Sequence, residues 1–298
     1  MKRDIQQAIA VLKNGGILIY PTDTAFGIGC RIDDRCSVDR LFDIRKRPQT
    51  QAAPILVSSI DMALPYFDSP SYIVRHFMDR YWPGALTIVA KARTDLLYSP
   101  IRGDGETVGI RMPDHQALRS IIAAVGVPIL GPSANIHGEK TPFHSKDLDP
   151  ALLARVDYAV TGTCCGSMTS TVVDCTSYPV KIIRQGAVIL SFLTIDTSET
   201  SETKLELKVG GNTYKEIFRH PISSQNVLQV LETILSRCGM DITKLSMTAV
   251  SVGPGSFTGL RVGAAVAKTL GTLLSIPVNG RNASDEIRLL YGTDKWKN

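Results

Sequence analysis

Along residues 1–186, short apolar runs alternate with amphipathic segments. Asp4 and Lys13 bound a pattern with Ile5, Ala8, Ile9 and Leu12 on one face, which predicts a capped surface helix rather than a signal peptide. "GILIY" (Gly16–Tyr20) predicts a strand stopped by Pro21, and "APILVSS", "ALTIVAKA", "TVGIRMP", "VPILGPS", "DYAVTG", "TVVDC" and "VKIIR" predict further strands. Helical spacing is found at Val38–Arg45, Ser71–Arg80 and His115–Ala124. The pattern therefore predicts a mixed α/β domain built on one large sheet.

From Phe192 the order restarts. The strand "FLTID" leads into a hairpin to "KLELKVG", a helix over Ser224–Cys238, the strand "TAVSVG", a helix over Thr258–Leu274 and the strand "IPVNG", which together predict a second α/β layer arrangement. The junction lies within "KIIRQGAVILSFLTIDTSET", so the expected domains are 1–188 and 189–298. The connector, Ala187–Ser191, is too short and too apolar for a flexible tether, so a restricted orientation of the two domains is expected. The tail from Asn282 is polar and weakly patterned.

Composition narrows this picture only a little. A chain of 298 residues with 44% hydrophobic positions has room for two ordinary cores. Lys and Arg exceed Asp and Glu by 33 to 28, an excess compatible with an anionic ligand such as a nucleotide or RNA but demanding neither. The six cysteines show no Cys-x-x-Cys pairing, which fits reduced thiols in a soluble cytoplasmic protein. No apolar run reaches the roughly 18 residues of a membrane span.

The candidate chemistry lies in loops that follow strands. "YPTDTAFGIG" sets Thr22 and Thr24 beside glycines that allow backbone to approach a ligand, although taken alone a plain turn is the favoured reading. "DIRKRPQT" gathers Arg45, Lys46 and Arg47 where a helix should end. A solvated helix end is the bland reading, and two guanidiniums gripping a polyphosphate is the sharper one. Arg111 sits on an otherwise apolar strand, where its charge needs either a ligand or a carboxylate. Ser133 and Asn135 follow a strand in "ILGPSANIHG", and "MTSTVVDC" and "KIIRQG" add Ser170 and Arg184. No persuasive Ser/His/Asp or Cys/His set appears, and His137 and His144 are isolated, so no metal ligands are assigned.

In order, "WPGALT", "VGIRMPDH", "SANIHG", "STVVD" and "IIRQG", with the Pro-Thr opening and the basic pair at Arg45 and Arg47, resemble the YrdC/TsaC family of threonylcarbamoyl-AMP synthases over nearly all of residues 5–186. The resemblance implies a YrdC-like mixed α/β sheet. It also implies synthesis of threonylcarbamoyl-AMP from L-threonine, bicarbonate and ATP with release of pyrophosphate, a nucleotidyltransferase reaction serving tRNA modification. It assigns L-threonine to Thr22, Arg111 and Ser170. ATP falls to Arg45, Arg47, Ser133, Asn135 and Arg184, with Arg45 and Arg47 in the catalytic role and Mg2+ accompanying the nucleotide. The sequence departs from the family in carrying Arg45 where a lysine is usual, a planar fork in place of a compact ammonium. The implied chemistry needs positioning and charge compensation rather than a protein nucleophile.

"LTIDTSE", "SSQNVLQVLETIL" and "SVGPGSFTGLRVGAAVAKTL" resemble the amino-terminal lobe of TsaB, an actin-like ATPase (ribonuclease H-like) fold. This implies docking to a TsaD-like protein, with a TsaE-like protein in the same assembly and tRNA contacted indirectly. Gly253, Gly255 and Gly259 do not form a Gly-x-x-x-x-Gly-Lys loop, so a tight turn capped by Ser256 or Thr258 is the favoured reading there. Gly263, Ala267 and Gly271 leave a narrow helix face open to close approach, by default within the domain. Two other functions were weighed. A YrdC-like module binding structured RNA without turnover is disfavoured by a net charge of only +5, and an actin-like kinase by the presence of one lobe.

Overall fold

A computed structural model of the chain describes residues 2–219 and 224–292. Ser223 of the helical motif and the last six residues of the tail fall outside them. The chain divides into two compact units, Met1–Val188 and Ile189–Asn298.

In the first unit, α1 (Lys2–Lys13) precedes β1 (Leu18–Tyr20), β2 (Gly27–Gly29), α2 (Arg35–Arg45), β3 (Ile55–Leu56), α3 (Ile60–Ala63), α4 (Tyr72–Tyr81) and β4 (Leu86–Lys91). Next come α5 (Ser99–Arg102), β5 (Thr107–Arg111), α6 (Gln116–Val125), β6 (Ile129–Leu130), α7 (Pro150–Leu153), β7 (Tyr158–Ala159), β8 (Thr171–Asp174) and β9 (Lys181–Arg184). A mixed six-stranded sheet runs β6-β3-β5-β4-β8-β9. α1 and α6 meet β1 and β6 in a core of Ala8, Leu12, Leu18, Tyr20, Ile121 and Ile122.

The expected single large sheet is instead two, because β2, β1 and β7 form a separate three-stranded sheet. Prolines explain the break. Pro128 and Pro132 flank β6 and accept from Ile32 N and Ile28 N, but they have no N–H to return. Strand pairing between the sheets is therefore reduced to the isolated bridges Gly27↔Ser133 and Arg31↔Ile129.

The second unit has β10 (Ser191–Asp196), β11 (Thr203–Val209), β12 (Asn212–Phe218), α8 (Ser224–Cys238), β13 (Met247–Val250) and α9 (Phe257–Leu273), with sheet order β12-β11-β10-β13. Alternation places Leu193, Ile195, Leu205 and Leu207 on one face, packed with Leu231 and Ile234 of α8 and Ala267 and Leu270 of α9. The other face is polar, with Glu206 bridging Lys208 and Lys215. The pattern missed β12, an edge strand with few buried side chains that follows the Gly210–Gly211 turn. It also overcalled "IPVNG": Pro277 lacks a donor, and Val278 makes only isolated bridges to Thr248 and Arg281.

The small-residue face of α9 is filled from within the unit. A Cβ at Gly263 would lie 2.2 Å from Thr197 Oγ1, and one at Gly271 would lie 2.4 Å from Val278 Cγ2. Ser256 caps the helix by accepting from Gly259 N, and Leu290 and Gly292 bond back to Val252 and Gly255 of the glycine-containing loop. Among the described residues no helix is long and apolar enough to cross a membrane.

Candidate active site

A cavity of about 170 Å³ in the first unit is lined by Thr22, Arg45, Arg47, Arg111, Ser133, Ser170 and Arg184, all expected from sequence, together with Thr24 and Thr87. Asn135 is the expected residue that does not line it. Its side chain is turned into its own loop, where Nδ2 donates to Ile136 O (2.9 Å) and Glu139 O (2.8 Å) and Oδ1 accepts from Ser133 Oγ (2.5 Å).

The two arginines of "DIRKRP" converge because α2 ends abruptly. Asp34 caps its start through Ser37 N, and Lys46 ends it in the left-handed conformation (φ 52°, ψ 36°). Lys46 N then bonds to Asp43 O, and Arg47 N bonds back to Phe42 O. This reversal brings Arg45 and Arg47 to one cavity. A lysine is an unusual choice at such a position, so Lys46→Gly is expected to raise stability by up to about 1 kcal/mol without loss of ligand binding, read from urea midpoints.

Arg45 is only 2% exposed. Its Nε donates to Asn135 O at 2.9 Å and its Nη2 to Asn135 Oδ1 at 3.4 Å, while Nη1 is buried without a partner. Burial, and after it the neighbouring Arg47, lower its pKa to about 10, so it stays charged at neutral pH at a cost in desolvation. Arg47 is lowered by burial as well, and it donates to Gln51 O and Ala52 O and contacts His137 Nδ1 at 3.4 Å.

Arg111, at the end of β5, is held differently. Nε donates to Gly84 O (3.0 Å), Nη1 to Thr24 Oγ1 (2.8 Å), and Nη2 pairs with Asp23. Burial lowers its pKa and Asp23 opposes that shift. The sequence left open whether a ligand or a carboxylate balances this charge; the carboxylate is Asp23, which sequence reasoning did not single out. Its signal was its place between two threonines in "YPTDT". From Arg111 a chain of donors runs through Thr24 Oγ1 and Thr22 Oγ1 (3.0 Å apart) to Ala25 O (2.7 Å).

Arg184, on β9, donates from Nε and Nη2 to Ser170 O (3.1 and 2.9 Å) and from Nη2 to Ser170 Oγ (3.0 Å). Burial lowers its pKa. Ser170 Oγ lies 2.9 Å from the hydroxyl of Thr87, another residue the sequence reading missed, inside the apolar strand β4. The chain then passes close over Ser170: a Cβ at Gly186 would lie 2.2 Å from Thr169 O and 2.4 Å from Ser170 C, so only glycine fits. Beyond it, Ala187 N donates to Thr169 O at 2.9 Å, and Val188 O accepts from Thr171 Oγ1 (2.6 Å) and Gln185 Nε2 (2.9 Å).

Among the described residues no group of three or more His, Cys, Asp or Glu is placed to hold a metal. Asp23, the carboxylate paired inside the site, is committed to Arg111. The donor set of hydroxyls and guanidiniums therefore does not fit a protein-held Mg2+, which needs oxygen ligands of the carboxylate kind. It fits anions.

A family model described as telomere recombination, covering the Sua5, YciO and YrdC proteins, matches residues 10–186, and one for TsaD, a tRNA N6-adenosine threonylcarbamoyltransferase, matches residues 199–284. The chain is 30% identical over 188 residues to a threonylcarbamoyl-AMP synthase of Bacillus subtilis (strain 168), covering 62% of this chain and 54% of that protein. It thus spans about half the length of that relative. It is 32% identical over 161 residues to a threonylcarbamoyl-AMP synthase of Xanthomonas axonopodis pv. citri (strain 306), covering 53% of this chain and 86% of the other. Among solved structures, a P. abyssi Sua5 variant superposes with a TM-score of 0.60 at 27% identity, covering 62% of this chain and 57% of that one. With the family model matching well over half of its length, the chain belongs to the Sua5/YciO/YrdC family.

Proposed function

We propose that the first unit, residues 1–188, is an L-threonylcarbamoyladenylate synthase. The observation that carries this reading is Arg45: a buried cation lining a cavity, with Arg47 beside it and, among the described residues, no carboxylate partner and no partner for Nη1. Such an arrangement is costly unless an anion completes it, and a triphosphate supplies the multiple oxygens that two guanidiniums can grip. The names of the Bacillus and Xanthomonas relatives support the same activity.

On this reading, Arg45, Arg47 and Ser133 hold ATP and Thr22 and Arg111 surround L-threonine, with Ser170 and Arg184 lining the same cavity. Asn135 acts on the nucleotide through Arg45 and Ser133. The threonine amine and bicarbonate give a carbamate and water, and a carbamate oxygen then attacks the α-phosphorus as pyrophosphate leaves. The protein contributes alignment and positive charge where phosphate charge builds. Mg2+ enters bound to the nucleotide's phosphates. Capture of structured RNA without turnover is the weaker reading, because cations as buried as Arg45 cannot reach a phosphate backbone.

The second unit, residues 189–298, is read as a TsaB-like lobe of the actin-like class that docks a TsaD-like protein. Its order of strand, hairpin, helix, strand and helix, and the TsaD family-model match over residues 199–284, support this. The expectation of a TsaE-like partner rests on the sequence resemblance alone.

Pyrophosphate release from ATP that depends on both L-threonine and bicarbonate tests the synthase reading. Arg47→Ala should raise the KM for ATP by roughly tenfold or more, the worth of a charge-assisted hydrogen bond. A native protein releasing no threonine-dependent pyrophosphate would defeat the proposal.

A further inference from the structure

The two hydroxyl pairs in the cavity differ in how their protons are used. Thr22 Oγ1 donates to Ala25 O and accepts from Thr24 N (3.0 Å), so in the Thr22–Thr24 contact Thr24 must be the donor. Both protons are spent, and both Thr22 lone pairs are occupied. The pair is closed. At the other pair, Ser170 Oγ accepts from Arg184 Nη2, and the Thr87–Ser170 contact consumes one hydroxyl proton whichever residue donates it. One O–H is left with no acceptor among the described residues. Thr87 and Ser170 are 4% and 6% exposed, so the acceptor has to come from whatever occupies the cavity they line.

The same cluster has a second donor to spare. Arg184 spends Nε and Nη2 on Ser170, and Nη1 makes no hydrogen bond to the described residues. A hydroxyl proton and a guanidinium amine, both lining the cavity and next to one another, suit a small planar oxyanion.

Within the proposed reaction two such anions exist, the amino-acid carboxylate and bicarbonate. The Arg111–Asp23 pair presents both signs of charge and so suits the zwitterionic amino acid, while Arg45 and Arg47 suit the triphosphate. Arg184 has no carboxylate partner among the described residues. We propose that Thr87, Ser170 and Arg184 form the subsite for bicarbonate. This rests on the synthase reading above. In the step it serves, the threonine nitrogen attacks the bicarbonate carbon, a C–N bond forms, and a C–O bond breaks. The departing hydroxide takes the amine proton and leaves as water. The free hydroxyl of the Thr87–Ser170 pair and Arg184 donate to the oxygens that keep the negative charge throughout.

Thr87→Val deletes the hydroxyl at nearly unchanged shape. Steady-state pyrophosphate release should show the KM for bicarbonate raised on the order of tenfold, with the KM values for ATP and L-threonine changed less than about twofold. Thr87→Ser should restore it. Ser170→Ala should give the same selective rise and replaces the test if Thr87→Val does not fold. A rise confined to the KM for threonine assigns the cluster to the amino-acid carboxylate and overturns the proposal, as does an unchanged KM for bicarbonate. If the native protein releases no pyrophosphate, the synthase reading fails separately. Line broadening of 13C-bicarbonate by the native protein then reads the subsite directly: broadening lost in Thr87→Val upholds it, and equal broadening overturns it.

Discussion

Arg111→Ala is expected to lower folding stability by about 3–5 kcal/mol, the usual cost of removing one member of a buried ion pair. Arg111 is 6% exposed and serves three neighbours at once: Asp23, Gly84 O and Thr24 Oγ1. Its loss leaves the Asp23 carboxylate buried beside unsatisfied acceptors and cuts the donor chain that ends at Ala25 O. Urea unfolding at neutral pH measures the effect. The double change Asp23→Ala with Arg111→Met removes both charges and should recover most of the stability without restoring pyrophosphate release, because an apolar pair satisfies the interior but not the amino acid. Full stability in Arg111→Ala would show that the pair contributes little.

Arg45→Met should behave in the opposite way. Here the guanidinium has no carboxylate partner among the described residues, burial and Arg47 hold its pKa down at about 10, and Nη1 is unsatisfied by them. Replacing it relieves a desolvated cation while losing the hydrogen bonds to Asn135, so ligand-free stability should fall by no more than about 1 kcal/mol. Catalysis should nonetheless drop by about 10²–10³ in kcat/KM, the effect of deleting one preorganised charge-stabilising group. Tripolyphosphate should raise the melting temperature of the native protein and not of this variant. A variant that is badly destabilised yet turns over normally would mean that Arg45 serves the fold rather than the phosphates. The contrast between the two arginines is the difference between a charge the protein has balanced and one it has left for a ligand to balance.

Much of the site was legible because its residues follow strands or end a helix, positions that period and capping rules locate. The convergence of Arg45 and Arg47 follows from α2 stopping at Lys46, and Ser170 and Arg184 sit beside strands that pair with each other. What sequence did not disclose was who satisfies whom. Asp23 and Arg111 are 88 positions apart, and Thr87 and Ser170 are 83 apart, contacts that no local pattern encodes. The side chain of Asn135 had equal claims to the ligand and to its own loop, and only the turn of the chain back to Glu139 decides between them. In the fold, β6 is cut short between Pro128 and Pro132 and "IPVNG" is lost at Pro277, and β12 was hidden because an edge strand buries too little to show clear alternation.

The hydrogen bonds beyond β9 bear on where the first unit can be cut. Sheet pairing ends at Arg184, which invites a cut there, yet Thr169, Thr171 and Gln185 are bonded to Ala187 and Val188 across the strand start that carries Ser170. A fragment trimmed to its last strand would retain every arginine of the cavity and leave Ser170 without the chain that crosses it. A fragment that keeps the chain crossing Ser170 therefore runs through Val188, four residues past the end of the visible sheet.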